Sequence, residues 1–367
     1  MRVSVPDIPK AILNSATSHR SIKSLSEATA ALTEFLSRGN VALLTGAGVS
    51  VDSGIRAYRG NDGRYMNPNY KPIFYHDLMD STEKGQTYRK RYWLRSYLGY
   101  PPVRDALPNT THYSIAALQE AGFIKRLITQ NVDGLHHKAL VTASPTVWTA
   151  PRLASNILEL HGTLHGVQCS RGHKVDRETF QQWISISNPQ WKLFFENLER
   201  TGEKIRTNPD GDVAVEHLGI SYSDFVVPDC PSCLSEGYQN SVQKAGVIFF
   251  GESIPKYIRD RSFRDVEECD RLLLMGTTLA TYSAFRLVKH AIELNKPVML
   301  LNLGPTRADS LPEVIKLEVA TGAIMRRVAS SVIGVAAKAD PVIVQMLRSG
   351  VVRPPRNDDE RVMKNPR

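Results

Sequence analysis

Alternation of apolar and polar residues marks out the first elements. From Ser26 to Leu36 the chain reads SEATAALTEFL, with Ala30, Leu32, Phe35 and Leu36 near one face of a helix and Gly39-Asn40 closing it. Asn40 to Thr45 then runs almost wholly apolar, as a buried strand does. Thr111 to Ala121 repeats the helical pattern up to Gly122, and Phe123 to Thr129 is a second buried strand. Val247 to Phe250, Arg271 to Met275 and Pro297 to Asn302 are further short apolar runs, and Ala284 to Leu294 is helical between the last two. Strands alternating with helices predict an α/β fold, a Rossmann-like doubly wound parallel sheet.

Two regions break this rhythm. Residues 56–110 are rich in Tyr, Arg and Pro and hold no buried strand. Residues 165–243 hold three of the four cysteines and a turn at Asn208 to Asp212. Both are expected to be insertions that form a second, smaller domain with little apolar content around its cysteines.

Composition narrows the class. The chain has 367 residues, 42% of them hydrophobic, which suffices for a sizeable core. No run approaches the roughly 18 apolar residues of a membrane span, so a soluble protein is expected. The net charge of +9 is spread without a basic, aromatic-laced block, so no direct nucleic-acid partner is expected. Four cysteines are too few for a disulfide scaffold, and Cys230-Pro-Ser-Cys233 points to a metal site in a reducing compartment. Arg2, Lys10, Arg20 and Lys23 stand against only Asp7 and Glu27 in the first 40 residues. That balance suggests a mitochondrial matrix presequence, with a nuclear or cytoplasmic protein as the alternative.

Candidate chemistry sits where the predicted strands end. Gly46-Ala47-Gly48 would let the backbone turn and approach a pyrophosphate, with Val49 to Ser53 opening a helix toward it. The next glycine is Gly54, so the spacing is not G-x-G-x-x-G. After the second strand, Gln130, Asn131, Val132 and Asp133 bring amides and a carboxylate suited to ribose hydroxyls and a carboxamide. Leu160-His161-Gly162, Ile248-Phe249-Phe250-Gly251-Glu252, Gly276-Thr277-Thr278 and Asn302-Leu303-Gly304 follow. No acidic residue follows the first turn where a dehydrogenase would hold its ribose, which disfavours that class.

In this order these motifs resemble the sirtuins, NAD-dependent protein-lysine deacylases, over about Ser26 to Val328. Arg89 to Arg95, Pro209 to Val213 and Leu301 to Arg307 resemble most the class II branch, that of the mitochondrial lipoamidase type. The resemblance implies NAD as a co-substrate, structural zinc, and acyl-lysine proteins or peptides as partners; no oligomer is implied. It implies His161 as general base, Asn131 on the ribose and Asp133 on the nicotinamide carboxamide. The mobile segment Gly54 to Gly60 would close over NAD, with Arg59 near its phosphates and Tyr58 shielding the reacting carbon. Gly46, Ala47, Gly48, Ser53, Gln130, Val132, Gly276, Thr277, Thr278, Asn302, Leu303, Gly304 and Thr321 would complete the cofactor site. Ile248, Phe249, Phe250 and Gly251 would line the acyl-lysine tunnel, and Tyr92 and Arg95, spaced as an acidic-acyl selector, would read the acyl group. The implied domains are a flexible 1–25, a discontinuous NAD-binding domain at 26–55, 111–164 and 244–340, a cofactor loop and helical insertion at 56–110, a zinc-binding module at 165–243, and a disordered tail at 351–367. The insert around Asn208 to Asp212 would reach the active site.

Two departures stand out. Arg56 occupies a position where the family usually has Pro. Gly172 replaces the second cysteine of the first C-x-x-C pair, leaving Cys169, Cys230 and Cys233. His173, one residue on, is the expected fourth zinc ligand; His165 and a metal-free module are the alternatives. Cys269 reads as a packed small hydrophobe. Two other activities stay open: protein mono-ADP-ribosylation through the same nicotinamide cleavage, and NAD binding without turnover.

Overall fold

The structure, a computed structural model, describes residues 5–13, 21–59, 65, 70–202, 213 and 221–354. The expected insert at Asn208 to Asp212 and the tail from 355 onward lie outside the described residues. The chain divides into two compact units. The larger is built from the described parts of Pro6–Met66, Ala106–Leu160 and Pro255–Arg367, the smaller from those of Met1–Val5, Asn67–Asp105 and His161–Ile254.

In the larger unit the parallel strands are β1 (Ser21–Ile22), β2 (Val41–Thr45), β3 (Ile124–Thr129) and β4 (Ile157–Glu159). In the smaller unit β5 (Gly162–Cys169), β6 (Lys174–Asp176) and β7 (Gln243–Val247) follow, and the larger resumes with β8 (Arg271–Met275), β9 (Val298–Leu301) and β10 (Val314–Leu317). Among the described residues the larger sheet has the order β1-β10-β9-β8-β2-β3-β4, all parallel. From β2 the chain steps outward one way through β3 and β4. It returns to the other side of β2 through β8, β9 and β10. That is a doubly wound sheet with its switch point between β2 and β8.

Leu43, Leu127, Leu273 and Leu301 join a core with the helices Leu25–Ser37, Thr110–Glu120, Thr321–Ile333 and Pro341–Arg348. Their strand neighbours Leu44, Ile128, Leu274 and Leu300 are buried as well, so the sheet is covered on both faces. In the first of these helices the buried set is Ala28, Leu32, Phe35 and Leu36, while Ala30 is exposed. Ala28 completes the i, i+4, i+7, i+8 stripe that Ala30 does not.

The smaller unit is an antiparallel sheet, β6-β5-β7, with a core of its own. Trp93, Leu94, Tyr97 and Leu98 on the Glu83–Arg104 helix pack with Val167, Phe180, Ile184, Trp191, Phe225 and Ala245. The Trp93 indole donates to the Gln243 carbonyl at 3.0 Å. Apolar packing is thus substantial in the unit as a whole, while the cysteines cluster only with one another. The apolar run Val247 to Phe250 is also not a strand of the parallel sheet: pairing begins at Gln243, stops at Val247, and is antiparallel to β5. An apolar run alone does not distinguish the two kinds of strand.

The unit boundaries accordingly fall at 160/161 and 254/255 rather than at 164/165 and 243/244. Ser21–Ile22, expected within a flexible terminus, pairs with β10. The start of the expected tail is also held: Val351 N–H donates to the Pro108 carbonyl at 3.2 Å and Arg353 N–H to the Asp52 carbonyl at 2.7 Å.

Candidate functional site

The two glycine loops at the switch point pack on each other. Gly46 N–H donates to the Met275 carbonyl at 3.0 Å, and Gly48 N–H to the Gly276 carbonyl at 2.8 Å. A Cβ on Gly46 would lie 2.7 Å from the Thr277 Cβ, and one on Gly276, where φ is +60°, would lie 2.5 Å from the Val49 nitrogen. These glycines are required by the close passage of one loop over the other. The segment after them, Ala47–Ser53, is a 3₁₀ helix that ends at Gly54 in the left-handed region, so the helix expected from Val49 to Ser53 is of this short kind.

Beside this crossing lies the end of β3. Gln130 Nε2 donates to the Thr277 hydroxyl at 2.8 Å and to the Thr45 carbonyl at 3.2 Å, tying β2, β3 and β8 together. Asn131 Nδ2 donates to the Gly46 carbonyl at 3.2 Å and to Ser50 Oγ at 3.1 Å. Ser50 Oγ donates to Asp133 Oδ2 at 2.8 Å, and Asp133 Oδ1 accepts the Leu135 N–H at 3.0 Å. Below Ser50 is His112. Its Nδ1 accepts the Asn109 N–H at 3.3 Å, so the ring hydrogen is on Nε2, which faces Ser50 Oγ at 3.4 Å. Burial pushes the His112 pKa down to about 4, although Asp133 pulls it upward. His136, 4.8 Å away ring to ring, contacts the Thr45 hydroxyl at 3.1 Å, and burial holds it far below the usual range too. Two neutral imidazoles thus floor the network.

Ser50, His112 and His136 were not singled out from sequence. His136 lies three residues past Asp133, but an alternation pattern does not separate a packed polar residue from a functional one. The signal available was a cluster of polar residues at strand ends, and His112 stands outside it, on the helix Thr110–Glu120.

Among the buried polar atoms without a partner in the described residues, two belong to this site: Asn131 Oδ1 and Ser53 Oγ. A buried amide oxygen without a donor is destabilising. Ribose hydroxyls would supply one, so the donor set fits NAD. Asn302, buried at the end of β9, turns its Nδ2 onto the Leu303 carbonyl at 2.7 Å, while Leu303 itself is exposed. Thr321, at the start of its helix, accepts from Thr111 at 3.3 Å. Tyr58 stacks on Tyr65, and the Arg59 guanidinium lies 5.3 Å from the Tyr65 ring centre. Arg56 is exposed. The cofactor residues inferred from sequence thus all belong to the larger unit.

The smaller unit carries the rest. Its last segment begins with His161, directly after β4 and Leu160, whose N–H bonds the Thr129 carbonyl. The His161 carbonyl accepts the Ile248 N–H at 2.8 Å. Gly162, with φ at +75°, leaves no room for a side chain, since a Cβ would lie 2.0 Å from the Gly246 carbonyl oxygen. Past β7 the Tyr92 ring meets Phe249 edge-on at 5.0 Å, and Phe250 faces Phe74 at 6.1 Å. Gly251 is exposed with φ at +85°. Arg95 donates to the Lys71 carbonyl at 3.3 Å.

Cys169, His173, Cys230 and Cys233 bring their ligand atoms within 4.8 Å of one another. His173 Nδ1 lies 3.5, 3.6 and 3.4 Å from the sulfurs of Cys169, Cys230 and Cys233, and the Cys169 and Cys233 sulfurs are 3.7 Å apart. A tetrahedron with Zn–S about 2.3 Å and Zn–N about 2.0 Å has edges of roughly 3.5–3.8 Å, so the set fits zinc. The turn explains the shifted ligand. Gly172 adopts a φ of +96°, and His173 then donates its N–H to Cys169 Sγ at 3.3 Å and brings its ring back over the thiols. His173 Nε2 is 3.0 Å from Glu236, a carboxylate placed to fix the ring. His165 is not in the cluster; its Nδ1 contacts the Tyr100 hydroxyl at 3.4 Å. Cys269 is buried, and burial raises its pKa to about 11, as fits an inert thiol.

A doubly wound sheet with crossed glycine loops at its switch point, and a second unit with a Cys3His knuckle, define a nucleotide-binding α/β protein with a zinc module. The Sir2 family profile matches residues 46–283. The NAD-dependent protein deacylase SIR4 of Batrachochytrium dendrobatidis is 40% identical over 323 residues, 86% of this chain and 97% of that protein. The NAD-dependent protein deacylase SRT2 of Arabidopsis thaliana is 35% identical over 301 residues, 80% of this chain and 74% of that one. The chain belongs to the Sir2 family. A solved Sir2 homologue in complex with NAD superposes with a TM-score of 0.57 at 22% identity, covering 86% of this chain and 97% of that one, which supports the fold.

Proposed function

We propose that this chain is an NAD-dependent protein-lysine deacylase of the class II branch. The observation that carries the reading is the buried, donorless Asn131 Oδ1 beside the crossed glycine loops, in a chain whose relatives are named for this activity. NAD, when bound, supplies a ribose carbon that becomes electrophilic as nicotinamide leaves. The residues of the chain do the rest. Asn131, its amide fixed by Gly46 and Ser50, holds a ribose hydroxyl. Asp133, its carboxylate fixed by Ser50 and the Leu135 N–H, accepts from the carboxamide. His161 would take the proton from a ribose hydroxyl, freeing that oxygen to receive the acyl group. Tyr58 excludes water from the reacting carbon. Phe249 and Phe250 line the acyl chain, with Tyr92 against Phe249 and Arg95 one helical turn on. The stretches Arg89 to Arg95 and Leu301 to Arg307 support the class II assignment and a pocket for branched or acidic acyl groups.

The test is nicotinamide release from NAD by the purified chain. Release that requires an acyl-lysine peptide is expected. Release driven by unmodified protein would replace deacylation with mono-ADP-ribosylation, and no release under either condition would leave a binding module.

A further inference from the structure

We propose that Arg59 and Arg307 together form a receptor for the cofactor's diphosphate, and that Pro6 to Leu13 is a strap occupying that receptor until the diphosphate displaces it. The proposal rests on the NAD reading above and adds a second arginine and a competing segment of the chain itself.

Two successive carbonyls of the strap are held by the two guanidinium groups. Arg59 Nη2 donates to the Pro6 carbonyl, and Arg307 Nη2 donates to the Asp7 carbonyl at 3.1 Å. Arg307 is well placed for a phosphate. Its N–H bonds the Thr278 carbonyl at 2.9 Å, which fixes it to the loop that follows β8, and its guanidinium lies 5.4 Å from the Phe285 ring centre. Arg59 is partly buried, and this burial lowers its pKa most; Tyr65 and Asp7 act the other way, and the charge of Arg307 lowers it again. Two cations that repel each other beside one acidic residue make an anion-receptive pair.

The strap is anchored, not merely adjacent. Ile8 is buried, its N–H is taken by Asp7 Oδ1 at 2.8 Å, and the short helix Lys10–Leu13 packs on the Arg307–Ser310 turn. Carbonyl oxygens are weak stand-ins for phosphate. A diphosphate carries full charges and more acceptor oxygens, and bidentate guanidinium–phosphate bonds are the stronger kind. The strap therefore lowers apparent affinity by the fraction of chains in which it is seated, without abolishing binding. The bland account is that Pro6 to Leu13 only completes the surface and that Arg307 only supports its turn.

Calorimetric binding of ADP-ribose to the full chain separates these accounts, because it does not depend on deacylation. Ile8→Asp, which ejects the anchor, should tighten ADP-ribose by roughly tenfold, and deletion of residues 2–13 should do the same. Arg307→Met should weaken binding by roughly tenfold in the deleted chain and by less in the full chain, where it also loosens the strap. Thermal melting of each variant checks that the fold is kept. Unchanged affinity in both strap variants overturns the strap, and an Arg307→Met deletion variant that binds as its parent does overturns the receptor. If neither the full chain nor any variant binds ADP-ribose, the cofactor reading itself fails, a result distinct from the other two.

Discussion

The Cβ that Gly48 lacks would lie 2.8 Å from the Cα of Gly276. Neither atom belongs to a flexible side chain, so a methyl group at Gly48 must push the two switch-point loops apart. Gly48→Ala should therefore weaken ADP-ribose binding by about tenfold or more and lower stability by roughly 1–3 kcal/mol, as overpacking does. Gly99 is the control: it is helical, and nothing lies within 4 Å of its missing Cβ. Gly99→Ala should be neutral or stabilising by up to about 1 kcal/mol. Equal melting temperatures and affinities for the two variants would remove the close-passage account.

His112 gives the larger unit an acid limit. Its folded pKa of about 4 lies below the ordinary 6.5, so the unfolded chain binds the proton first as pH falls. The stability carried by its neutral form is complete above pH 6.5 and is lost progressively toward pH 4, on the order of 3 kcal/mol in all. His136, depressed in the same direction, adds to the same slope. Urea unfolding from pH 7 to 4.5 should show this decline, and His112→Gln, which has no proton to gain, should flatten it. A parallel decline in wild type and variant would place the acid sensitivity elsewhere.

His161→Ala should keep ADP-ribose affinity within a few-fold and lose roughly a hundredfold or more in acyl-peptide turnover, the contribution of a positioned base. Gly162 explains why the neighbouring residue should be left alone: its replacement would strike the Gly246 carbonyl and disturb β5 and β7, confounding the result. Near-normal turnover in His161→Ala would remove that side chain from the chemistry.

The sheet was legible because buried parallel strands are short unbroken apolar runs, as Val41 to Leu44 and Leu272 to Met275 are, flanked by helical periods and glycine turns. What could not be read was which partner each element takes. Val247 to Phe250 is as apolar as the other strands, yet β7 ends at its first residue and pairs antiparallel. Polar contacts across long separations were also hidden: Ser50 and Asp133 are 83 positions apart. Motifs located Asn131 and Asp133, but only coordinates show that a serine joins them and that a neutral histidine supports the serine. Gly172 was visible as a departure, and its left-handed φ explains how His173 reaches the thiols.

Tyr92 and Arg95 lie one turn apart on the Glu83–Arg104 helix, and Tyr92 has Phe249, a proposed tunnel residue, against its ring. Arg95 holds the Lys71 carbonyl, a bond it can exchange for an acyl carboxylate. Tyr92→Phe with Arg95→Met should therefore reduce kcat/KM for succinyl-type peptides by roughly 10- to 100-fold, the loss of a charge-assisted bond, and affect neutral acyl peptides less. Equal losses for both classes would make the pair a packing feature.

The Cys3His knuckle should hold one zinc per chain. Its thiols form a small cluster of their own, apart from the Trp93 and Phe180 core of the smaller unit. Metal binding is therefore expected to supply the folding energy of the knuckle, on the order of 10 kcal/mol in small modules, while the aromatic core holds the remainder. Removing zinc should unfold the Cys169 to His173 turn and the Cys230 to Tyr238 segment, seen as fast amide exchange there, with slow exchange persisting around Trp93. His173→Ala should lose zinc to a chelator far faster than wild type. Glu236→Gln, which leaves the four ligands but weakens the hold on the ring, should fall between them, about 10- to 100-fold in affinity. Elemental analysis near zero zinc in freshly purified wild type would sink the metal assignment. Full occupancy and unchanged chelator resistance in His173→Ala would keep the metal and exclude the histidine, since three thiolates need a fourth donor and the shift from Gly172 to His173 would then have no role in supplying it.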